Sequence, residues 1–206
     1  MSSDWLRPAI EGVAGAVIAH AEELTALDSA IGDGDHGHNM KRGFSAVLDE
    51  LDALADLAPG EALKKIGMTL VTKVGGASGP LYGSLFMEAG KALDGPVDLS
   101  SVATATEAGV AAVKRRGKSE AGEKTMLDVW VPVAAALGEA RDASDAARRA
   151  ETAAEDGLAA TRDMRATKGR AAYLGERSVG HLDPGARSSA LVVGALAALV
   201  RERAAA

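Results

Sequence analysis

Three aspartates fall within eight residues in the string Leu27-Asp28-Ser29-Ala30-Ile31-Gly32-Asp33-Gly34-Asp35-His36-Gly37-His38-Asn39-Met40. Asp33 and Asp35 lie two apart and Asp28 lies five residues earlier, with glycines threaded between, so a loop can bring all three carboxylates together. Two carboxylates about 5 Å apart repel by roughly 3 kcal/mol at an effective dielectric near 20. Three that converge must therefore bind a cation or give up charge by taking protons. Oxygen-only ligands on a flexible loop suit a hard divalent ion, magnesium or calcium. A lone aspartate here would more often cap a turn; three around Gly-x-Gly favour a metal.

Two familiar readings of the same string fail. Gly32-Asp33-Gly34-Asp35-His36-Gly37 formally matches GxGxxG, but a dinucleotide fingerprint follows a strand, and Ala21 to Leu27 reads as the end of a helix. Its two aspartates would also repel a pyrophosphate unless a cation intervened. A calcium loop starting at Asp33 needs glycine sixth and glutamate twelfth, where His38 and Phe44 stand; starting at Asp28 places Asp33 and Asn39 there. What remains is a metal-bridged phosphate site, since magnesium binds through a few carboxylates while sharing phosphate oxygens. His36, Gly37 and Asn39 then open a helix, whose free N–H groups and positive dipole end favour anions.

Two more segments could serve such a site. In Gly75-Gly76-Ala77-Ser78-Gly79-Pro80 the small residues allow close approach to a phosphate, and Ser78 can donate a hydroxyl hydrogen bond at a helix start. It is not a P-loop, for GxxxxGK[ST] occurs nowhere in the chain. The stretch from Thr167 to Gly185 lacks periodicity and carries Lys168, Arg170, Arg177, His181 and Asp183-Pro184-Gly185. Arg170 is its best candidate for a bidentate phosphate contact. Lys114, Arg115, Arg116 and Lys118 read as a solvated helix end, and His20 as a structural or surface histidine. Met126 and Trp130, four apart, are explained by core packing unless a base stacks there.

These residues need a scaffold, and composition indicates one built from helices. Alanine abounds while aromatics make up 3% of 206 residues, a mixture that gives strands little to pack with. One domain, 1–206, is expected, large enough to bury roughly 70% of its unfolded surface. There is no cysteine, hence no disulfide, zinc-thiolate site or thiol nucleophile, and a net charge of −6 argues against a nucleic-acid surface. The apolar run Ala14 to Ala19 is too short for a signal or membrane segment, so a cytoplasmic protein is expected. Periodicity such as Phe44, Val47, Leu48, Leu51 and Leu54 predicts helices over 3–24, 38–57, 60–74, 80–92, 98–116, 124–141, 145–163 and 187–203. Short connections between eight helices point to an antiparallel bundle or barrel.

Four strings carry a resemblance. They are the aspartate segment, Val-Gly-Gly-Ala-Ser-Gly-Pro-Leu-Tyr-Gly from Val74, Gly-Glu-Lys-Thr-Met-Leu-Asp-Val-Trp from Gly122, and Gly-Arg-Ala-Ala-Tyr-Leu-Gly-Glu-Arg-Ser-Val-Gly-His-Leu-Asp-Pro-Gly-Ala from Gly169. In order and over essentially the whole chain, they resemble the nucleotide-binding L subunit of bacterial dihydroxyacetone kinase. That resemblance implies an all-α, eight-helix antiparallel barrel with the nucleotide at one end. It implies that Asp28, Asp33 and Asp35 hold two magnesium ions bridging to the diphosphate of ADP or ATP. His36, Asn39, Ala77 and Ser78 would contact the nucleotide, Gly117 and Met126 would border the adenine, and Arg170 with Asp183-Pro184-Gly185 would close the site.

The implied chemistry is phosphoryl transfer, largely positioning and charge neutralisation. In the family, a K subunit holds dihydroxyacetone on a histidine, and in the phosphotransferase-linked version an M subunit fed from phosphoenolpyruvate rephosphorylates bound ADP. The ATP-exchanging version fuses both kinase domains and tends to carry Cys-Gly-Thr-Thr after the paired aspartates. This chain has His36-Gly37-His38-Asn39 and is expected to stand alone, which favours the phosphotransferase-linked version. His38 is given no role. The alternatives are a related kinase component for another sugar or an acyl substrate, and a nucleotide-dependent binding module acting on a partner such as a transcription regulator.

Overall fold

Helical periodicity carries through into the computed structural model, which describes residues 4–205 and, among them, contains no strand. The α-helices are α1 (Leu6–Ala19), α2 (Ala21–Ile31), α3 (His36–Asp49), α4 (Leu51–Ala55), α5 (Pro59–Lys73), α6 (Ser78–Ala92), α7 (Leu99–Gly117), α8 (Leu127–Gly138), α9 (Ala143–Ala160) and α10 (Pro184–Ala205). Two 3-10 segments, Thr161–Asp163 and Arg170–Ser178, lie between α9 and α10. None of the described helices is long and apolar enough to cross a membrane.

The packing forms a closed ring: α1 on α3, α3 on α5, then α5 through α10 each against the next, and α10 back on α1. With α2 carrying α1 onward past a break, and α4 a one-turn spacer, the ring has the eight members expected of the barrel. Val17, Met40, Phe44, Leu70, Val113, Leu127 and Val192 are almost wholly buried within it. Each such side chain contributes about 1.5–3 kcal/mol of burial free energy.

The boundaries differ from the sequence expectation where side chains compete with the helix. The helix expected over 3–24 breaks at His20, whose Nδ1 donates to the Ala16 carbonyl at 2.7 Å; the chain restarts as α2 and runs on to Ile31. Asp28 therefore stands on the last turn of a helix and not in a loop. The helix expected over 38–57 starts at His36 and breaks at Glu50. There the Glu50 carboxylate accepts the Thr69 hydroxyl and pairs with Lys65, both at 3.1 Å. The helix expected from 124 starts at Leu127, because Lys124 has a left-handed φ of 61°. Side-chain caps form at Asp98, which makes a reciprocal capping box with Ser101, and at Asp142, which accepts from the Asp145 N–H, so that the helix expected over 145–163 starts at Ala143.

Short connections make consecutive ring neighbours antiparallel, which sorts the loops. Segments 32–35, 74–77, 118–126 and 161–183 share one end, while 93–98 and 139–142 share the other. The first end thus gathers the N-termini of α3, α6, α8 and α10. The α2–α3 hairpin entering it is tight: a β-carbon on Gly37 would lie 2.7 Å from the Thr25 nitrogen and closer still to the Ala21 carbonyl. Only glycine permits that approach.

Candidate functional site

At this end Asp28, Asp33 and Asp35 each present an oxygen within 4.8 Å of the others'. Asp28 is buried and anchors the arrangement, its Oδ2 accepting from the N–H groups of Asp35 (2.8 Å) and His36 (3.1 Å). A residue on the last turn of one helix thereby satisfies the first turn of the next. Its other oxygen lies over Gly32, where any β-carbon would collide with it. Asp33 and Asp35 remain exposed to solvent. Gly34, between them at φ 75°, turns the chain so that both carboxylates face the same side as Asp28.

Behind the carboxylates lies a buried polar network. His36 places Nδ1 3.0 Å from the Ser78 hydroxyl on α6 and Nε2 2.9 Å from that of Ser188 on α10. Ser188 and Ser189 donate to the Gly185 carbonyl, and the Tyr82 hydroxyl lies 2.7 Å and 2.9 Å from their oxygens. Burial holds the His36 ring below its ordinary pKa, against the opposing pull of the Asp28 and Asp35 carboxylates. Burial likewise pushes the Tyr82 phenol up. Both rings are neutral near pH 7. With Ser188 donating to Gly185, its oxygen accepts from Nε2–H, and Nδ1 accepts from Ser78; the tautomer is inferred from these partners. His36 thus ties the starts of α3, α6 and α10 together.

The other expected residues distribute around this centre. Asn39 is buried one turn into α3, accepts from Arg42 at 2.8 Å, and faces Gly75, whose added β-carbon would lie 2.7 Å from its oxygen. Ala77 precedes α6 as its cap residue. Arg170 opens the second 3-10 segment and pairs its Nε with Asp33 at 2.8 Å, so the aperiodic stretch reaches the aspartates as expected. Asp183 caps α10, accepting from the Ala186 N–H at 2.7 Å, and Pro184 takes the first helical position. Burial raises the Asp183 carboxyl to about 7, opposed by hydrogen bonds from Ala186 and Gly185 and by the charge of Lys124. Gly117 ends α7 against Leu81 and Ser119. Met126 backs onto Gly185, with its side chain packed against the barrel core.

Sequence reasoning missed Tyr82, Ser188, Ser189, Lys124 and Asp128. The paired serines at buried positions of an apolar helix were the available signal for the first three. Lys124 is 1% exposed and donates to the carbonyls of Thr161 and His181, while Asp128 accepts from the N–H groups of Gly122 and Thr125.

The residues fit a divalent ion with a phosphate group. Three carboxylate oxygens converge with only the exposed Arg170, paired to Asp33, as a basic partner among the described residues, and carboxylates within 4.8 Å of one another repel unless a cation lies between them. Four helix N-termini supply the donors an anion needs. Such a site, at one rim of an antiparallel helical barrel, defines a class of helical phosphate-binding protein.

Residues 30–198 match the DAK2 domain, and the chain belongs to that family. It is 46% identical over 194 residues to the ADP-binding subunit of PEP-dependent dihydroxyacetone kinase 1 from Listeria innocua, covering 94% of each chain. It is also 46% identical over 188 residues to the ADP-binding subunit of the PEP-dependent dihydroxyacetone kinase of Escherichia coli, covering 88% of this chain and 90% of that one. Among solved structures, the dihydroxyacetone kinase from C. freundii in complex with AMP-PNP and Mg2+ superposes with a TM-score of 0.75 at 27% identity. The match covers 94% of this chain and 33% of that one, so the chain spans about a third of that kinase.

Proposed function

We propose that this chain is the ADP-binding subunit of a phosphoenolpyruvate-dependent dihydroxyacetone kinase. The observation that carries the reading is the convergence of Asp28, Asp33 and Asp35 beside the His36–Ser78 contact, at the rim where four helices start. Asp28, Asp33 and Asp35 hold magnesium, two ions in this reading, and so neutralise the diphosphate. Ser78, Ala77, His36 and Asn39 bind the phosphate side, Gly117 and Met126 border the adenine, and Arg170 with Asp183, Pro184 and Gly185 closes the site. Magnesium, when bound, supplies charge neutralisation of the transferring group. The chain's own residues position and desolvate: neutral His36 lends Ser78 a fixed orientation, and Arg170 stands ready to contact phosphate oxygens.

In the cycle, a phosphoryl group passes from a donor M subunit to ADP, giving ATP on this chain. It passes next to a hydroxyl of dihydroxyacetone carried by a K subunit, regenerating ADP. Both partners, and an intracellular location with them, are part of the proposal. Purified protein is expected to release about one adenine nucleotide per chain on acid treatment, and none after prior chelation of divalent ions. If the protein carries no nucleotide and binds none when ADP and magnesium are supplied, the reading fails.

A further inference from the structure

Two lysines join the loops on the base side of this rim, and neither belongs to the ligand set just described. The 118–126 loop carries left-handed backbone at Lys118 (φ 47°) and Lys124 (φ 61°). Residues bearing a β-carbon hold that conformation only where their surroundings impose it. Lys124 reaches inward, and its ammonium donates to the Thr161 carbonyl at the end of α9 and to the His181 carbonyl just before α10. Asp128, in the first turn of α8 where it accepts from the Gly122 and Thr125 N–H groups of the loop, and Asp183, which caps α10, face it along with Asp163. Lys168 makes the reciprocal contact at the surface, donating to the Lys118 carbonyl at 2.6 Å and lying 3.6 Å from Glu123. Between them the Thr167 N–H donates to the Glu123 carbonyl at 3.4 Å.

Each lysine crosses from one loop to the other, in opposite directions. We propose that Lys124 and Lys168 are positioning residues that clamp the 118–126 loop against the 161–183 segment and so set the base side of the nucleotide site. This rests on the nucleotide reading, in which Gly117 and Met126, flanking that loop, border the adenine. The buried ammonium also balances the buried Asp128 and Asp183 side chains, which would otherwise repel each other at the starts of α8 and α10. The phosphate side is anchored separately, by the α2–α3 hairpin, the start of α6 and, for Arg170, its pair with Asp33. Loosening the clamp therefore weakens recognition of the base and leaves the diphosphate cradle intact.

The experiment compares two magnesium-loaded probes, ADP and inorganic pyrophosphate, by calorimetry on the parent chain, Lys168→Ala and Lys124→Met. The expected result is an ADP Kd raised about fivefold or more in each variant, as for loss of a charged hydrogen bond, with the pyrophosphate Kd unchanged. Equal losses for both probes would show a global effect and overturn the clamp. So would an unaltered ADP Kd in Lys168→Ala, or a parent chain that binds the two probes equally. If Lys124→Met does not fold, Lys168→Ala decides alone, since its side chain lies partly in solvent. A parent chain that binds neither probe fails the nucleotide reading itself, a result distinct from any of these.

Discussion

Replacing Asp33 with asparagine separates a ligand role from a structural one. Asp33 lies at the surface and its ion pair with Arg170 joins side chains 36% and 70% exposed. Such a pair contributes about 0–1 kcal/mol. Neutralising Asp33 also removes its repulsion with Asp28 and Asp35, whose oxygens lie within 4.8 Å. At that distance each repulsion amounts to about 0.9 kcal/mol in a water-like dielectric of 80. The two repulsions relieved sum to about 1.7 kcal/mol against a loss of about 0–1 kcal/mol, so the ligand-free melting temperature should lie at or a few degrees above the parent's. Metal-dependent binding should respond very differently. Loss of an outer-shell partner typically costs about 10–100-fold in metal affinity, so loss of a direct ligand should cost ADP·Mg binding at least about 100-fold. Calorimetric titration with ADP at fixed magnesium, alongside thermal melts, reads both quantities. Parent-like ADP affinity, or a variant that unfolds, would refute the reasoning. Asp28→Asn is the contrasting variant, expected to lose stability as well as binding because the buried Asp28 also accepts the N–H groups of Asp35 and His36.

Two further outcomes follow from the packing. Gly37→Ala forces a β-carbon to within 2.7 Å of the Thr25 nitrogen, so α2 and α3 must separate; the cost should be about 1–3 kcal/mol or more, read as a lower urea midpoint, and an unchanged midpoint would contradict it. The Asp183 carboxyl sits at about 7 in the folded chain against an ordinary value of 3.8. Between those values the native chain holds a proton that the unfolded chain has lost. Its contribution is full below pH 3.8, declines as pH rises towards 7, and levels above, with a slope of at most about 1.4 kcal/mol per pH unit. Urea titrations of the ligand-free chain should show that decline, and Asp183→Asn should flatten it.

The helices were legible because their signal is local. Apolar spacing placed most elements to within a few residues. The misplaced breaks at His20 and Glu50 depend on side-chain partners, one of them far along the chain on α5, that periodicity does not encode. In the candidate site, the aspartates, Ser78 and Arg170 stood out because charged and small residues are conspicuous among alanines and leucines. Tyr82, Ser188 and Lys124 passed unnoticed, since each has a common bland role until its neighbours are known. Lys124 in particular fell at the start of the helix expected over 124–141 and drew no notice, yet it is among the most deeply buried side chains of the molecule.

The amino-acid sequence alone determined that this is a helical protein with a carboxylate cluster suited to a hard cation, because helix propensity and charge density are properties of short segments. Only the tertiary structure decided that Asp28 caps the next helix, that His36 joins α3 to α6 and α10, and that Lys124 crosses to Thr161 and His181. Those contacts span up to 152 positions along the chain. They exist because ring closure brings four helix starts to one rim, a constraint that no local pattern contains.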